Sequence, residues 1–180
     1  MLQTLTHTTP RLRLGALFIL ALVVLLPVAW YLGSPLFLNQ TVNESLPAGA
    51  PATRVNQAST TAPVALRSGQ FGTIDAIHKG EGTAAVYRQP DGQLILRLDP
   101  FNVTNGPDLY VYLSTDPAPT NSAQLHQGGA LEVARLKGNV GSQNYDLPAD
   151  VDLSRFRSVV IYCKQFSVVF SSAELSPAAS

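Results

Sequence analysis

Two apolar runs between residues 94 and 115 constrain the fold of this chain more than any other feature of its sequence. In the first run leucine occupies positions 94, 96 and 98, and in the second Leu109, Val111 and Leu113 repeat the same spacing. Charged residues and tyrosines fall on the opposite side. Apolar residues at every second position are typical of a β-strand with one face in the core. The sequence therefore predicts two half-buried β-strands here.

The four residues Asn105, Gly106, Pro107 and Asp108 separate these runs and form a predicted structural turn. Gly106 tolerates a positive φ, Pro107 fixes its own φ, and an aspartate can accept hydrogen bonds from nearby backbone. We therefore expect the chain to change direction between the two strands.

Further short apolar runs follow one another from residue 67 onward, with turn signals between them. The predicted strands are 70–78, 82–88, 93–98, 109–114, 131–136, 141–147, 158–163 and 166–171. Seven to nine short strands without a long amphipathic helix indicate an all-β domain. We expect an antiparallel β-sandwich or a partly closed barrel, preceded by one N-terminal transmembrane helix and a flexible linker.

The N-terminal region has a different character. Residues 14–32 contain no charged side chain, and these 19 residues (32 − 14 + 1) are enough to cross about 30 Å of hydrocarbon. Arg11 and Arg13 precede the run, so the positive-inside tendency places residues 1–13 in the cytoplasm and the rest of the chain outside it. A cleaved signal peptide is the alternative, although the Val28-Ala29-Trp30 sequence is a poor cleavage site.

The remaining boundaries follow from composition. Residues 33–66 are rich in Pro, Ala, Thr, Ser, Asn and Gln without a sustained apolar period, which predicts a flexible linker. Residues 67–176 form the predicted β domain, and 177–180 form a C-terminal tail. The formal net charge is zero, and we find no basic patch that could bind a phosphate backbone, so nucleic acid is not an expected partner.

Three segments carry a resemblance to a known family. GPDLYVYLS at 106–114, LKGNVGSQNY at 136–145 and VVIYC at 159–163 occur in this order. Together they resemble the DM13 domain, over about residues 68–176. The resemblance implies an all-β domain whose characteristic cysteine, here Cys163, takes part in electron transfer or holds a redox group.

Cys163 is the single cysteine of the chain, so it has no intramolecular disulfide partner. It shares strand parity with Val159 and Ile161, and a purely structural reading makes it a small buried hydrophobe. A redox or ligand role requires a thiolate with some access. His78, at the end of the first predicted domain strand, is the natural second ligand if Cys163 binds a metal or haem iron.

Other candidate sites have simpler explanations. Asp99 and Asp108 could bind Ca²⁺ or act as acid and base, but turn capping explains them as well. His126 lies in a Pro/Gly-rich loop and is expected to be solvated. An outward aromatic strip could bind a ligand, or it could reflect ordinary cross-strand pairing; its members would be Tyr110, Tyr112, Tyr145 and Tyr162. No nucleophile motif favours a hydrolase.

Two functions from different classes follow. The first is a redox or electron-transfer accessory that uses Cys163, with haem or a metal near His78 as its possible cofactor and a redox protein as its partner. The second is a non-catalytic binding or surface-interaction module with a structural Cys163 and a surface ligand. In both, we expect a single-pass membrane protein, held by residues 14–32, with its domain in the periplasm or outside the cell. We do not expect a stand-alone enzyme in either case.

Overall fold

The computed structural model describes residues 10–33, 38–47 and 62–178. The chain divides into two compact units, residues 1–38 and residues 39–180. Parts of the predicted N-terminal segment, linker and tail lie outside the described residues; these are 1–9, 34–37, 48–61 and 179–180.

The first unit contains helix α1 (Pro10–Gly33), with Pro27 in its interior. Its described apolar side chains are exposed, as Phe18 at 66% and Trp30 at 71% illustrate. Of the predicted transmembrane helix at residues 14–32, the helical conformation is confirmed. In the part of the chain that the structure describes, no helix is long and apolar enough to cross a membrane.

The second unit is built from short strands and one five-residue helix among the described residues. In chain order its elements are β1 (Thr41–Asn43), β2 (Val64–Gln70), β3 (Gly80–Arg88), β4 (Leu94–Val103), β5 (Leu109–Ser114), α2 (Ser122–His126), β6 (Ala130–Arg135), β7 (Val140–Asp146), β8 (Ser158–Cys163), β9 (Val168–Glu174) and β10 (Ser176–Pro177).

These strands form two open sheets in a sandwich-like arrangement. The six-stranded sheet has the order β1-β7-β4-β3-β2-β10, and the four-stranded sheet has the order β6-β5-β8-β9. All neighbours are antiparallel except β1 and β7, which run parallel, so the larger sheet is mixed. Within the described residues neither sheet closes on itself, so of the two predicted architectures the sandwich is confirmed and the partly closed barrel is wrong.

One apolar core fills the space between the sheets. Leu96 and Leu98 of β4 reach it from the larger sheet, and Val111 and Ile161 reach it from the smaller one, all without solvent exposure. The turn at 105–108 connects β4 to β5 and thus carries the chain from one sheet to the other. The alternation in the sequence therefore predicted the core-facing side of both strands.

Strand β5 departs from its prediction because it is buried on both faces. Five of its six residues are buried, and all six residues of β8 are buried. Helix α2 causes this, since Leu125 packs on the outer face against Tyr112, Val160 and Tyr162. The predicted half-buried β5 is therefore wrong on its outer side.

The first predicted domain strand, 70–78, is also wrong. Strand β2 ends at Gln70, and of the following residues only Phe71 forms a bridge, to Ala173. The carboxylate of Asp75 accepts hydrogen bonds at 2.7 Å from the backbone N–H groups of both Ile77 and His78. These bonds turn the chain locally and compete with strand pairing.

Part of the predicted linker belongs to the domain. Strand β1 pairs with β7, and β2 begins at Val64, before the predicted boundary at 67. The Glu44 carboxylate after β1 accepts a hydrogen bond from Lys137 Nζ at 2.8 Å, which lowers the pKa of Glu44. Likewise, Pro177 of the predicted tail lies in β10.

We predict that Leu98→Ala destabilises the domain by about 2–5 kcal/mol, because it removes buried methyl groups and leaves a cavity in the core. Urea unfolding of the full chain, followed by far-UV circular dichroism, measures this change. Ile77→Ala is the control: its side chain is 70% exposed, so a change within about 0.5 kcal/mol is expected. Equal effects of the two substitutions would contradict the assigned core.

Candidate functional site

Cys163 is the last residue of β8 and has no solvent exposure. Its side chain belongs to the core between the sheets, as its parity with Val159 and Ile161 predicts. It lies opposite Leu109 of β5 and opposite Val168 of β9. The thiol is therefore surrounded by the apolar packing that holds the sheets together.

This environment restricts the chemistry of the sulfur. Thiol–disulfide exchange requires a thiolate and direct approach of the second sulfur, and the folded domain offers no such approach. The adjacent cation, Lys164, lies on the other face, where its Nζ is 2.6 Å from Glu132 Oε2 and 3.8 Å from the centre of the Tyr110 ring. Lys164 is therefore not placed to stabilise a thiolate at position 163.

His78 lies in the loop between β2 and β3, and its predicted place at a strand end is wrong. Its Nδ1 is 2.7 Å from Asp75 Oδ2, and its ring meets the Phe170 ring edge-on with 4.5 Å between centres. The His78 hydrogen bond is the largest cause that lowers the pKa of Asp75 from 3.8 to about 2. Backbone N–H groups of His78 and Ile77 contribute as well.

The two predicted ligands, Cys163 and His78, have different surroundings. His78 touches Phe170, which belongs to the same core as Cys163, but Nδ1 of His78 is engaged by Asp75. A cavity of about 740 Å³ beside Glu44 and Lys137, and three smaller ones, include neither residue in their lining. Among the described residues, no group of three or more His, Cys, Asp or Glu could hold a metal ion. Within the described residues, Cys163 and His78 therefore belong to no group of three such donors that could hold a metal ion.

The turn at 105–108 lies at the same end of the sandwich as Cys163. A Cβ atom on Gly106 would come within 2.9 Å of Leu109 Cδ2 and of Phe170 Cζ, so this position has no room for a side chain. The carbonyl of Asp108 accepts a hydrogen bond from the Lys164 backbone N–H at 3.1 Å. The turn thus joins the start of β5 to the turn that follows Cys163.

The two predicted carboxylates have separate partners. Asp99 Oδ2 accepts hydrogen bonds from Arg97, and its Oδ1 accepts one from Ser142. Asp108 Oδ1 lies 3.8 Å from Arg135 Nη2. Each carboxylate therefore has a structural partner of its own.

An aromatic cluster covers the outer face of β5 and β8. The rings of Tyr112 and Tyr162 meet edge-on with 5.6 Å between centres, and His126 contacts both rings. Burial raises the pKa of Tyr112, and its hydroxyl donates to Glu132 at 2.7 Å. Tyr145 lies in the core instead and donates to Gln143, so its predicted place in an outward strip is wrong.

Sequence reasoning missed two of these partners. Asp75 stands three residues before His78, a spacing that could have indicated the pair. His126 was assigned to solvent, and although its side chain is exposed, its ring packs on two tyrosines. No local signal indicates the second contact, because α2 brings His126 to strands that are distant in sequence.

Two open sheets around one apolar core, with a buried free cysteine at one end, define a small β-sandwich domain. The chain belongs to the DM13 family: a family model described as "Electron transfer DM13" matches residues 70–175, more than half of the chain. No curated protein and no solved structure matches it. The expected resemblance over 68–176 is thereby confirmed.

The contact between Asp75 and His78 predicts a pH dependence. Because the pKa of Asp75 is lower in the folded state, the stability that the contact contributes is present above about pH 4 and is lost as the pH falls towards 2. A carboxyl-detected NMR titration should give a midpoint near 2 for Asp75. In His78→Phe the Asp75 midpoint should rise but stay below 3.8, because the backbone donors remain. Asp152 is the control: Ser154 donates its hydrogen bonds, so its midpoint should not change. An unchanged Asp75 midpoint would contradict the assignment.

Proposed function

We propose that this chain is an electron-transfer accessory and that Cys163 is its redox residue. The observation that carries this proposal is the match of residues 70–175 to the electron-transfer DM13 family. The family description gives the class of reaction, and Cys163 is the only sulfur of the domain.

The burial of Cys163 decides which kind of redox step the domain can support. A mixed disulfide would require the sulfur to reach the surface. We therefore infer that a partner forms no covalent bond to Cys163 while the domain stays folded.

A second function is supported by a different observation. Cys163 has no exposure and packs beside Leu109 and Val168, which is the usual environment of an unreactive cysteine. On this reading the domain is a non-catalytic binding or surface-interaction module with a structural cysteine. The two functions predict different effects of removing the Cys163 sulfur on the redox signal of the protein.

Voltammetry of the purified full chain with Cys163→Ser and Cys163→Ala tests the two functions. We predict a redox signal in the natural chain that both variants lose, while each keeps its far-UV circular dichroism spectrum. The stability change should be about 0.5–3 kcal/mol, the ordinary range for a single substitution. A signal that survives in both folded variants would exclude Cys163 as the redox residue, and a natural chain without any signal would favour the binding module instead.

We further propose that residues 14–32 attach the chain to a membrane and that the domain lies outside the cytoplasm. The support comes from the sequence: the run has no charge, and Arg11 and Arg13 precede it. Either attachment or cleavage of this run as a signal peptide would export the domain.

Val23→Arg tests the attachment, because a charge at the centre of a span costs about 2.5–3.5 kcal/mol of insertion free energy. The natural chain should resist carbonate extraction, and protease added to intact cells should remove its C-terminal domain. The variant should shift towards the carbonate-soluble fraction. A domain that survives protease until the cells are broken open would rule out the proposed topology.

A further inference from the structure

Residues 39–45 lie outside the range that matches the family, yet they are held on the edge of the larger sheet. Strand β1 pairs in parallel with the first three residues of β7. The Glu44 N–H donates to the Ser142 carbonyl at 2.8 Å, and the Val140 N–H donates to the Gln40 carbonyl at 3.2 Å. Without β1, the edge of the sheet would be β7. An edge strand presents unpaired N–H and C=O groups that accept another strand.

One carboxylate of the segment has a dedicated set of donors on the domain. Lys137 Nζ lies 2.8 Å from Glu44 Oε1 and 3.0 Å from Oε2. The backbone N–H of Asn144 donates to Oε2 at 2.8 Å. Charge-assisted hydrogen bonds of this kind are stronger and more directional than neutral ones. The edge of β7 therefore recognises an acidic side chain at this position of the strand.

Side chains of the domain also bind the main chain of the segment at both ends of β1. Asn139 Oδ1 accepts from the Gln40 N–H at 2.7 Å. Arg97 Nη1 donates to the Glu44 carbonyl at 3.0 Å, and Asn144 Nδ2 donates to the Ser45 carbonyl at 2.8 Å. Contacts to the main chain favour an extended peptide over a folded surface.

Two glycines of the domain leave room for the segment. A Cβ atom at Gly141 would run into the Val42 carbonyl, and one at Gly138 would run into the Gln40 carbonyl. Gly141 also has a φ of 107°, which side-chain-bearing residues rarely adopt. The close approach of the two main chains therefore depends on both positions.

Apolar burial contributes little to this contact. Val42 is the one large apolar side chain in residues 39–45, and it is only half-buried. A segment held by polar contacts, at the margin of a sheet and away from the core, belongs to the part of a protein that opens most easily. The edge site can therefore be vacated while the sandwich stays folded.

We propose that the β7 edge is a strand-accepting site, which residues 39–45 fill within one chain and which the same residues of a second copy fill in trans. The second copy is the occupant because this sequence satisfies the site. In the sequence, residues 46–63 stand between the segment and β2. The intramolecular contact has the advantage of a high effective concentration. Exchange is thus expected where chains are crowded or where the internal contact is broken.

A complementation experiment with the full chain in detergent tests the site. Glu44→Lys removes the carboxylate and leaves the acceptor intact, whereas Lys137→Glu damages the acceptor and leaves the segment intact. When affinity-tagged Glu44→Lys is mixed with untagged Lys137→Glu, native Glu44 meets native Lys137 between chains. Retention of the untagged chain should be at least about tenfold above that of a natural-chain mixture. In the natural chain the internal segment competes for the site with the advantage of effective concentration, and in the variants the internal Glu44–Lys137 contact no longer exists.

Two controls make the outcome decisive. Tagged and untagged Glu44→Lys together contain acceptors but no native donor, so their retention should not exceed that of the natural chains. An excess of a synthetic peptide with the sequence of residues 38–47 should abolish the retention of the complementary pair. Retention of that pair at the natural level, with both variants folded, overturns the proposal, and so does retention that survives the peptide. Lys137→Met replaces Lys137→Glu if the latter does not fold.

Discussion

The packing of β5 and β8 between two apolar layers is the interaction on which the rest of this domain depends. On the inner side, Val111 and Ile161 meet the six-stranded sheet across the core. On the outer side, Leu125 of α2 and the ring of Tyr112 cover the same strands. Complete burial of one such apolar side chain contributes about 1.5–3 kcal/mol. Strands enclosed in this way tolerate few side-chain substitutions. Cys163 is the last residue of β8, so its burial follows from the burial of that strand.

Cys163 is a core residue first, whatever else it does. Its side chain occupies the end of the core, and the turn at 105–108 closes that end because Gly106 lets Leu109 and Phe170 approach. Polar side-chain contacts lie outside this packing. One is the contact between Asp75 and His78, and another is the hydrogen bond from the Tyr112 hydroxyl to Glu132. Membership of the DM13 family gives the electron-transfer proposal its basis, and the burial of the sulfur excludes a mixed disulfide with the folded domain.

The sequence predicted the fold best where the pattern is local. The strands 109–114 and 158–163 coincide with β5 and β8, because their continuous or alternating apolar residues have no competing interpretation. Strand 70–78 was wrong because the Asp75 side chain binds the nearby backbone, which hydrophobicity does not report.

Long-range partners explain the other differences. Strand β1 is largely polar, and it pairs with residues about one hundred positions away, such as Thr41 with Val140. Helix α2 has only five residues, too few for a detectable period, although it buries one face of the small sheet. For the candidate site, the alternation of side chains along β8 predicted that Cys163 points into the core. That alternation could not predict the hydrogen bond between His78 and Asp75, because this pair depends on the course of a loop.

The rate at which a small thiol reagent modifies Cys163 in the folded full chain tests this account most directly. If the sulfur is enclosed between the sheets, modification in native buffer should be negligible. With increasing urea, the free energy of the opening that exposes Cys163 should fall in parallel with the free energy of global unfolding. Rapid modification without urea would show that the sulfur is reached from the surface and would contradict the account. A modification rate that does not change across the unfolding transition would do the same.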